Sequence, residues 1–384
     1  MIIRSAFLFR LKPKKSQLAQ LAQFSGACRY IYNRGLEERK KAYEENKQSL
    51  TYYEQNIALT TLKKEEKTKW LKEVHSQILQ QALKDLDQSF QNFFRRIKQK
   101  QVPGYPRFKS RGVRDSFRYP QGVKIKDTQA YLPKIGWVSF IKSREILGTL
   151  KHTTISRRGD HWYISFNCEI EIETPQRPPI VEEKAVGIDV GLIHYAALAV
   201  GKSNHHATIP PPKFLKTLLP RMRVLSRRLS KKQKGSQNWK KAKRQLAKLH
   251  AKIRHARENF AHQLSTLIVK SHDIICVESL NIKELMQTKL SRSIADAGWR
   301  QFLTYLKYKA HRLGKYFVEI DKYFPSSQLC SSCGHRQKME LKERNFSCQN
   351  CDLKIDRDYN SSIIIKAAGM SVLKACGEAP LGAQ

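Results

Sequence analysis

Acidic residues are scarce in this sequence. Its 384 residues include 33 Asp and Glu against 72 Lys and Arg, which gives a formal net charge of +39. No acidic residue occurs between Asp189 and Glu258. A positive field of this size destabilises a compact chain by self-repulsion unless a polyanion neutralises it. The composition therefore predicts a nucleic-acid-binding protein.

Long apolar runs are also missing. No stretch approaches the roughly 20 residues of a membrane span, and residues 1–10 lack the apolar core and cleavage site of a signal peptide. We therefore expect a soluble intracellular protein with no membrane partner. The sequence shows neither a Ser-His-Asp arrangement nor a glycine-rich phosphate-binding loop, which disfavours acyl transfer and NTP hydrolysis.

In the first half of the chain, the spacing of apolar residues changes from a strand period to a helical period and back. Alternation over residues 2–12 and helical spacing over 15–46 and 53–97 predict a strand followed by a helical lobe. Leu79, Leu83, Leu86, Phe90, Phe93 and Phe94 form one face of the second helical block. Strands are predicted again at 137–141, 150–156 and 162–170, with a hairpin turn at 157–160. The pattern favours an antiparallel β-barrel with an inserted helical lobe, followed by a proline-rich linker at 174–180.

Three acids in the second half stand where an apolar segment ends or a helix begins. Val186, Ile188 and Val190 predict a buried strand with Asp189 at its exit. Residues 274–280 form a second apolar strand with Glu278 near its end, and the acidic turn 356–360 precedes a helix that Asn and Ser residues are expected to cap. An Asp that closes an ordinary hairpin is the simpler alternative for Asp189. Acids so far apart in sequence can meet around cations, as in a ribonuclease H-like nuclease.

Phosphodiester hydrolysis explains why three carboxylates would be needed. Two magnesium ions held by carboxylates activate water and stabilise the leaving oxygen without a protein nucleophile. Asp189 is predicted to bridge the two ions, with Glu278 and Asp358 at the separate ends and manganese as an alternative metal. Asp356 is the alternative third ligand, although it could instead cap the helix or pair with Arg357.

A basic helical hairpin is predicted over residues 218–257, with a break near Gly235 and Ser236. A solvated helix face normally mixes both signs of charge to gain i,i+4 pairs. The single sign here favours a surface that follows phosphates over a merely solvated helix. The candidate phosphate-binding residues are Arg227, Arg228, Lys231 and Lys232.

Four of the eight cysteines form two Cys-x-x-Cys pairs, Cys330 with Cys333 and Cys348 with Cys351. Two such turns supply four thiolates in the tetrahedral arrangement preferred by structural zinc. A redox disulfide would need one pair only, a catalytic zinc would keep an open position, and His335 is not needed as a ligand. The other four, Cys28, Cys168, Cys276 and Cys376, are interpreted as packing residues.

Several motifs resemble the TnpB (OrfB) family, the RNA-guided nucleases of prokaryotic insertion sequences that are related to type V CRISPR effectors. The resemblance covers nearly the whole chain. It is most specific in residues 324–328, the four cysteines, and Asp356, Asp358 and Asn360. It also includes residues 30–33, 76–94, 106–110, 187–191 and 278–281.

The resemblance implies four domains and assigns the metal-binding triad to Asp189, Glu278 and Asp358. The short motif beside the target would be read, as the resemblance implies, by Tyr52, Ser76 and Gln80. This chain has Ser361-Ser-Ile-Ile-Ile365 where the family commonly has small residues and another Asn, a departure that concerns the packing behind Asp358. The implied domains are a wedge barrel (1–14 and 102–178), a helical recognition domain (15–101), a RuvC nuclease domain (179–324 and 354–372, with a basic hairpin at about 213–262) and an inserted target-binding zinc ribbon (325–353). Residues 373–384 are expected to form a C-terminal tail.

The expected function is RNA-guided, magnesium-dependent cleavage of double-stranded DNA next to a short motif, in the cytosol or nucleoid of a prokaryote. The guide RNA would derive from the transposon end. A guided heteroduplex gripped through its backbone also accounts for the positive charge. Two alternatives are an RNA-guided DNA-binding repressor that no longer cleaves, and a DNA transposase.

Overall fold

The chain forms two compact units, Met1–Glu173 and Thr174–Gln384. The computed structural model describes residues 1–112, 115–340 and 343–376. The boundary between the units coincides with the start of the predicted proline-rich linker. Each unit has its own hydrophobic core.

The first unit contains a seven-stranded sheet in which every neighbouring pair is antiparallel. The order is β2-β6-β7-β1-β5-β4-β3. The strands are β1 (Ile2–Lys12), β2 (Ser116–Tyr119), β3 (Lys124–Lys126), β4 (Gln129–Leu132), β5 (Gly136–Ile141), β6 (Thr149–Arg158) and β7 (His161–Glu171). The predicted antiparallel barrel is confirmed in part, as a curled antiparallel sheet that forms a half-barrel. Its edge strands β2 and β3, which have 4 and 3 residues, do not pair with each other.

The helical lobe begins with α1 (Lys15–Asn46), as predicted. The second predicted block is instead divided into α2 (Tyr52–Leu62), a 3₁₀ helix (Glu66–Glu73) and α3 (Ser76–Lys98). Thr51 starts α2 because its side chain accepts a hydrogen bond from the Glu54 backbone N–H. The predicted apolar face of α3 holds as far as Leu86, but Phe94 at its far end is exposed.

The second unit is built on a five-stranded sheet of order β10-β9-β8-β11-β12. Strands β8, β9 and β10 form an antiparallel meander, while β11 and β12 continue the sheet from β8 in parallel. The strands are β8 (Ala185–Asp189), β9 (Ala196–Val200), β10 (His205–Ile209), β11 (Ile274–Glu278) and β12 (Tyr316–Ile320). Its helices are α4 (Phe214–Ser230), α5 (Gln237–Ser271), α6 (Ile282–Leu285), α7 (Ser291–Ala297), α8 (Trp299–Arg312) and α9 (Arg357–Cys376). Helix α9 includes residues 373–376 of the predicted tail, and residues 377–384 of that tail lie outside the described part of the chain.

Two glycines allow α9 to lie directly on this sheet. A Cβ added to Gly187 in β8 would be 2.1 Å from the Ser362 carbonyl oxygen, and one added to Gly369 in α9 would be 2.4 Å from the Cys276 sulfur in β11. The departure at residues 361–365 is accommodated, because Ser361, Ser362 and Ile365 are buried. Close packing at both glycines, against backbone at Gly187 and against the Cys276 side chain at Gly369, therefore fixes the position of α9 across β8 and β11.

We expect Gly187→Ala to destabilise the second unit by about 3 kcal/mol, since the new methyl group collides with backbone atoms that cannot rotate away. Urea denaturation would measure the change. Gly26→Ala in α1 is the matched control, because its Cβ would have no neighbour closer than 3.8 Å and alanine favours a helix. A variant as stable as the wild type would contradict this packing of α9.

Candidate active site and zinc-binding knot

Asp189 and Glu278 stand at the ends of two neighbouring parallel strands. Ile188 of β8 and Val277 of β11 are paired in register, so the two acids occupy the next position of each strand. The preceding residues of both strands are buried, whereas the acids themselves are partly accessible. The carboxyl ends of parallel strands lie at one edge of a sheet, and this register brings both acids there.

Asp358 reaches the same edge from the first turn of α9. A Cβ placed on Gly191, just after β8, would lie 3.6 Å from Oδ2 of Asp358. Asp356 serves a different purpose, since its Oδ1 accepts a 2.9 Å hydrogen bond from the Tyr359 backbone N–H and caps the helix. The expectation that Asn and Ser residues cap this helix is therefore wrong, because the helix already begins at Arg357.

The electrostatics of this edge disfavour negative charge. Burial, followed by the charges of Asp358 and Glu278, raises the pKa of Asp189 well above its ordinary value, and Arg357 opposes the shift. Burial also raises the pKa of Glu278. Because the folded protein holds these protons more tightly than the unfolded chain, stability falls as the pH rises through their titration range. A divalent cation bound here would offset that loss by stabilising the ionised carboxylates.

The three acids are less compact than the cysteine cluster. Among the described residues, only the four cysteines form a set of three or more His, Cys, Asp or Glu whose ligand atoms all lie within 4.8 Å of one another. Carboxylate oxygens are suitable ligands for magnesium or manganese.

The four cysteines form a compact knot beside a short hairpin, β13 (Asn345–Ser347) with β14 (Lys354–Asp356). The sulfur–sulfur distance is 3.6 Å both between Cys330 and Cys351 and between Cys333 and Cys348. Zn–S bonds of about 2.3 Å in a tetrahedron would place the sulfurs about 3.8 Å apart. Hydrogen bonding from Asn350 and the His335 backbone lowers the pKa of Cys333 to about 6, whereas the pKa of Cys351, against a lowering by the Leu353 backbone, is raised to about 11 by hydrogen bonding with the other three thiols. Without metal the thiols therefore share protons, which zinc would displace on binding. The sulfur geometry therefore fits zinc.

Asn360 joins this knot to the acidic edge. It is fully buried, its Oδ1 accepts a 3.0 Å hydrogen bond from the Ser331 backbone N–H, and its Nδ2 donates to the Leu329 carbonyl at 2.7 Å. Ser331 lies between two of the thiols, and Asn360 lies two residues after Asp358. The sequence marked Asn360 only as part of a family motif and gave no sign of this bridge.

We expect Asn360→Ala to lower the free energy of unfolding by about 2–4 kcal/mol, because it removes a buried side chain and leaves two partly buried backbone groups without partners. It should also weaken zinc retention, measured as zinc release to a chelating dye. Asn238→Ala, at an exposed position of α5, is the control and should change neither quantity. Normal stability and zinc retention in Asn360→Ala would contradict the bridge.

The predicted basic hairpin is present as α4 packed against α5. Arg227, Arg228, Lys231 and Lys232 are exposed where α4 ends, and no ion pair joins them to an acid in the part of the chain that the structure describes. Asp296 fixes the base of the hairpin by accepting hydrogen bonds from Arg257 and from the Leu215 backbone N–H. The sequence did not single out Asp296, although it is a nearby acid in a basic region.

The three candidates for reading the short DNA motif lie in the first unit. Ser76 is exposed at the start of α3, where its Oγ accepts a 3.0 Å hydrogen bond from Lys63, and Gln80 is half-buried one turn later. Residues four apart share one helix face. Tyr52, at the start of α2, is half-buried against the core.

Known structures define the class of fold. The chain has a TM-score of 0.57 with a Cas12f1 protein solved in complex with sgRNA and target DNA, at 13% identity over 95% of this chain and 99% of that one. The TM-score with a CRISPR-Cas_phi3 mini-RNA-guided endonuclease is 0.51, at 9% identity over 100% and 94% of the two chains. The fold is therefore that of the compact type V CRISPR effectors.

Sequence relatives identify the family. The chain is 35% identical to the Escherichia coli (strain K12) protein named "Putative RNA-guided DNA endonuclease InsQ", over 97% of this chain and 94% of that protein. A "Putative RNA-guided DNA endonuclease" of Streptomyces pristinaespiralis is also 35% identical, over 98% and 92%. The chain belongs to the TnpB (OrfB) family.

Family models match three segments of the chain. Residues 165–289 match the OrfB family described as "Probable transposase", and 299–365 match the Cas12f1-like TNB domain. Residues 1–48 match a model described as a helix-turn-helix domain, but here they form strand β1 and the single long helix α1. No helix within the described residues combines the length and apolar character needed to cross a membrane.

Proposed function

We propose that the protein is an RNA-guided DNA endonuclease that hydrolyses target DNA beside a short adjacent motif with two magnesium or manganese ions. The observation that carries the proposal is the approach of Asp189, Glu278 and Asp358 at one edge of the five-stranded sheet. Three antiparallel strands extended by two parallel ones are typical of a ribonuclease H-like domain. The relatives' names support the same activity.

Asp189, Glu278 and Asp358 would hold the ions, with Asp189 as the proposed shared ligand because it lies near both other acids, whose charges raise its pKa. Glu278 and Asp358 would complete the two separate ligand sets. The ions would supply an activated water and stabilise the leaving oxygen. The protein itself positions the three carboxylates, at the ends of two strands and the start of one helix. The buried strands behind them exclude water from the rear of the site.

Structural zinc would bind Cys330, Cys333, Cys348 and Cys351. The zinc knot would hold α9 through Asn360, and α9 carries Asp358. The proposed domains are those given by the resemblance, with the half-barrel as wedge, the helical lobe as recognition domain and the knot as target-binding zinc ribbon. Guide RNA from the transposon end and double-stranded target DNA are the proposed partners, and the exposed end of α4 would contact their phosphates.

The test is a cleavage assay with the protein purified together with its bound RNA. Sequencing that RNA identifies the guide, and a DNA duplex carrying the matching sequence is then incubated with the complex and magnesium. We expect cuts that require the RNA, the sequence match and the metal. Site-specific binding without cutting would instead support the repressor, and RNA-independent transfer of a labelled transposon end into DNA would support the transposase.

A further inference from the structure

Four aromatic side chains form a continuous cluster at the C-terminal end of α3 and in the loop that follows it. Phe90, Phe93, Phe94 and Tyr105 make up this aromatic platform. Its ring centroids are 5.2 Å apart for Phe93 and Phe94, 5.4 Å for Phe93 and Tyr105, and 5.7 Å for Phe90 and Tyr105. The mutual packing holds the rings in place, so the platform is preorganised.

Two rings of the platform are open to solvent. Phe94 is 59% exposed and Tyr105 is 48% exposed, and the apolar side chains of Ile97 and Val102 beside them are exposed as well. An apolar surface of this kind without a partner marks a binding site more often than chance. The face of α3 that the sequence predicts to be buried is therefore exposed at its C-terminal end.

The charge around the platform points to a polyanion. Residues 88–112 contain no Asp or Glu. Six of the seven basic side chains in this segment are exposed, and among the described residues none of the six is joined to an acid by an ion pair; they are Arg95, Arg96, Lys98, Lys100, Arg107 and Arg111. The seventh, Lys109, is half-buried over the ring of Tyr32. Helix α1 of the same unit is different, because there Arg34 pairs with Glu38 and Lys41 with Glu37.

Exposed aromatic rings flanked by unpaired basic groups are the features that bind single-stranded nucleic acid. Each base can stack on a ring while the basic groups contact the phosphates. In a duplex the bases are stacked on one another inside the helix, so their faces are not available to the rings. Exposed amides at Gln99 and Gln101 could also hydrogen-bond to a ribose 2′-hydroxyl, which DNA lacks, whereas Gln91 already donates to Asp87 at 2.8 Å.

We propose that the aromatic platform binds an unpaired stretch of RNA, with bases stacked on Phe94 and Tyr105. The inference rests on the proposed function in that the guide RNA is the natural source of such a stretch. The platform would be a further RNA-binding site in the helical lobe, which stacks on the faces of unpaired bases and does not read their sequence.

The full-length chain is first freed of co-purified RNA by nuclease and high salt. Its binding is then measured to a fluorescent unstructured RNA oligonucleotide and to an RNA duplex of equal length. We expect Phe94→Ala to weaken single-strand binding about tenfold and Phe94→Ala with Tyr105→Ala about a hundredfold, with duplex binding unchanged. The slope of affinity against salt should stay the same, because no phosphate contact is lost. Phe94→Trp should restore binding.

Tyr43→Ala is the matched control, since Tyr43 is 60% exposed in the same unit but neighbours Glu44 and Glu45. Unchanged single-strand affinity in both platform variants would overturn the proposal, as would wild-type protein that binds a DNA oligonucleotide of the same sequence as tightly as the RNA. Concentration-dependent self-association by light scattering that Phe94→Ala abolishes would also overturn it, by making the platform a contact between two copies. If the platform variants lose single-strand binding but still cleave DNA under RNA guidance, the proposed function stands. If the wild-type protein binds no RNA, both the platform proposal and the proposed function are refuted.

Discussion

Asp189→Asn is expected to reduce guided DNA cleavage by about 10³-fold or more while leaving RNA-dependent DNA binding unchanged. The substitution preserves shape but removes the carboxylate charge that both proposed ions share. Losing several kcal/mol of transition-state stabilisation corresponds to a rate change of that size. Single-turnover cleavage and filter binding on the same complex would measure the two quantities separately.

Asp356 provides the control, because it lies two residues before Asp358 but is not assigned to the triad. Asp356→Asn should fold and retain most activity, because Asn caps a helix about as well as Asp. Asp358→Asn should lose activity as Asp189→Asn does. The reverse result, with Asp356→Asn inactive and Asp358→Asn active, would contradict the assignment of the third ligand.

The second large effect is expected in the zinc-binding knot. Replacing Cys330 and Cys348 by Ser should reduce bound zinc from about one to about zero per chain, since zinc binding of roughly 10–16 kcal/mol is what folds small sites of this kind. The knot would then no longer hold Asn360, so the melting temperature and the cleavage rate should both fall. Elemental analysis, thermal denaturation and cleavage would be measured on one preparation.

Cys168→Ala is the control for this pair, because it removes a buried thiol from β7 in the other unit. It should leave the zinc content unchanged. If the double cysteine variant also kept its zinc, the metal would have to be bound elsewhere.

The local features of the fold could be predicted from the sequence. Helix α1 has the predicted bounds, the turn between β6 and β7 contains residues of the predicted hairpin, and β8 and β11 end at the predicted acids. The burial of Cys28, Cys168 and Cys276 is confirmed, while the side chain of Cys376 lies outside the described residues. Such features depend on hydrophobic period and turn chemistry, which neighbouring residues determine.

Features that depend on distant contacts could not be predicted. The curvature of the sheet into a half-barrel depends on pairing between strands far apart in sequence, and the helical block 53–97 is interrupted near Leu71 and Val74, which are buried in the core. Lys366 illustrates the same limit: it is buried in α9, bonded to the Gly201 carbonyl and paired with Glu182 at 3.1 Å. In the sequence it looks like an ordinary exposed lysine.

Anomalous X-ray diffraction from crystals of the RNA and DNA complex grown with manganese would locate the metal ions relative to the three acids. We expect two manganese peaks about 3.5–4 Å apart, with Asp189 between them and Glu278 and Asp358 at the outer sides. Manganese bound without these carboxylates, in a complex that cleaves its target, would contradict this expectation.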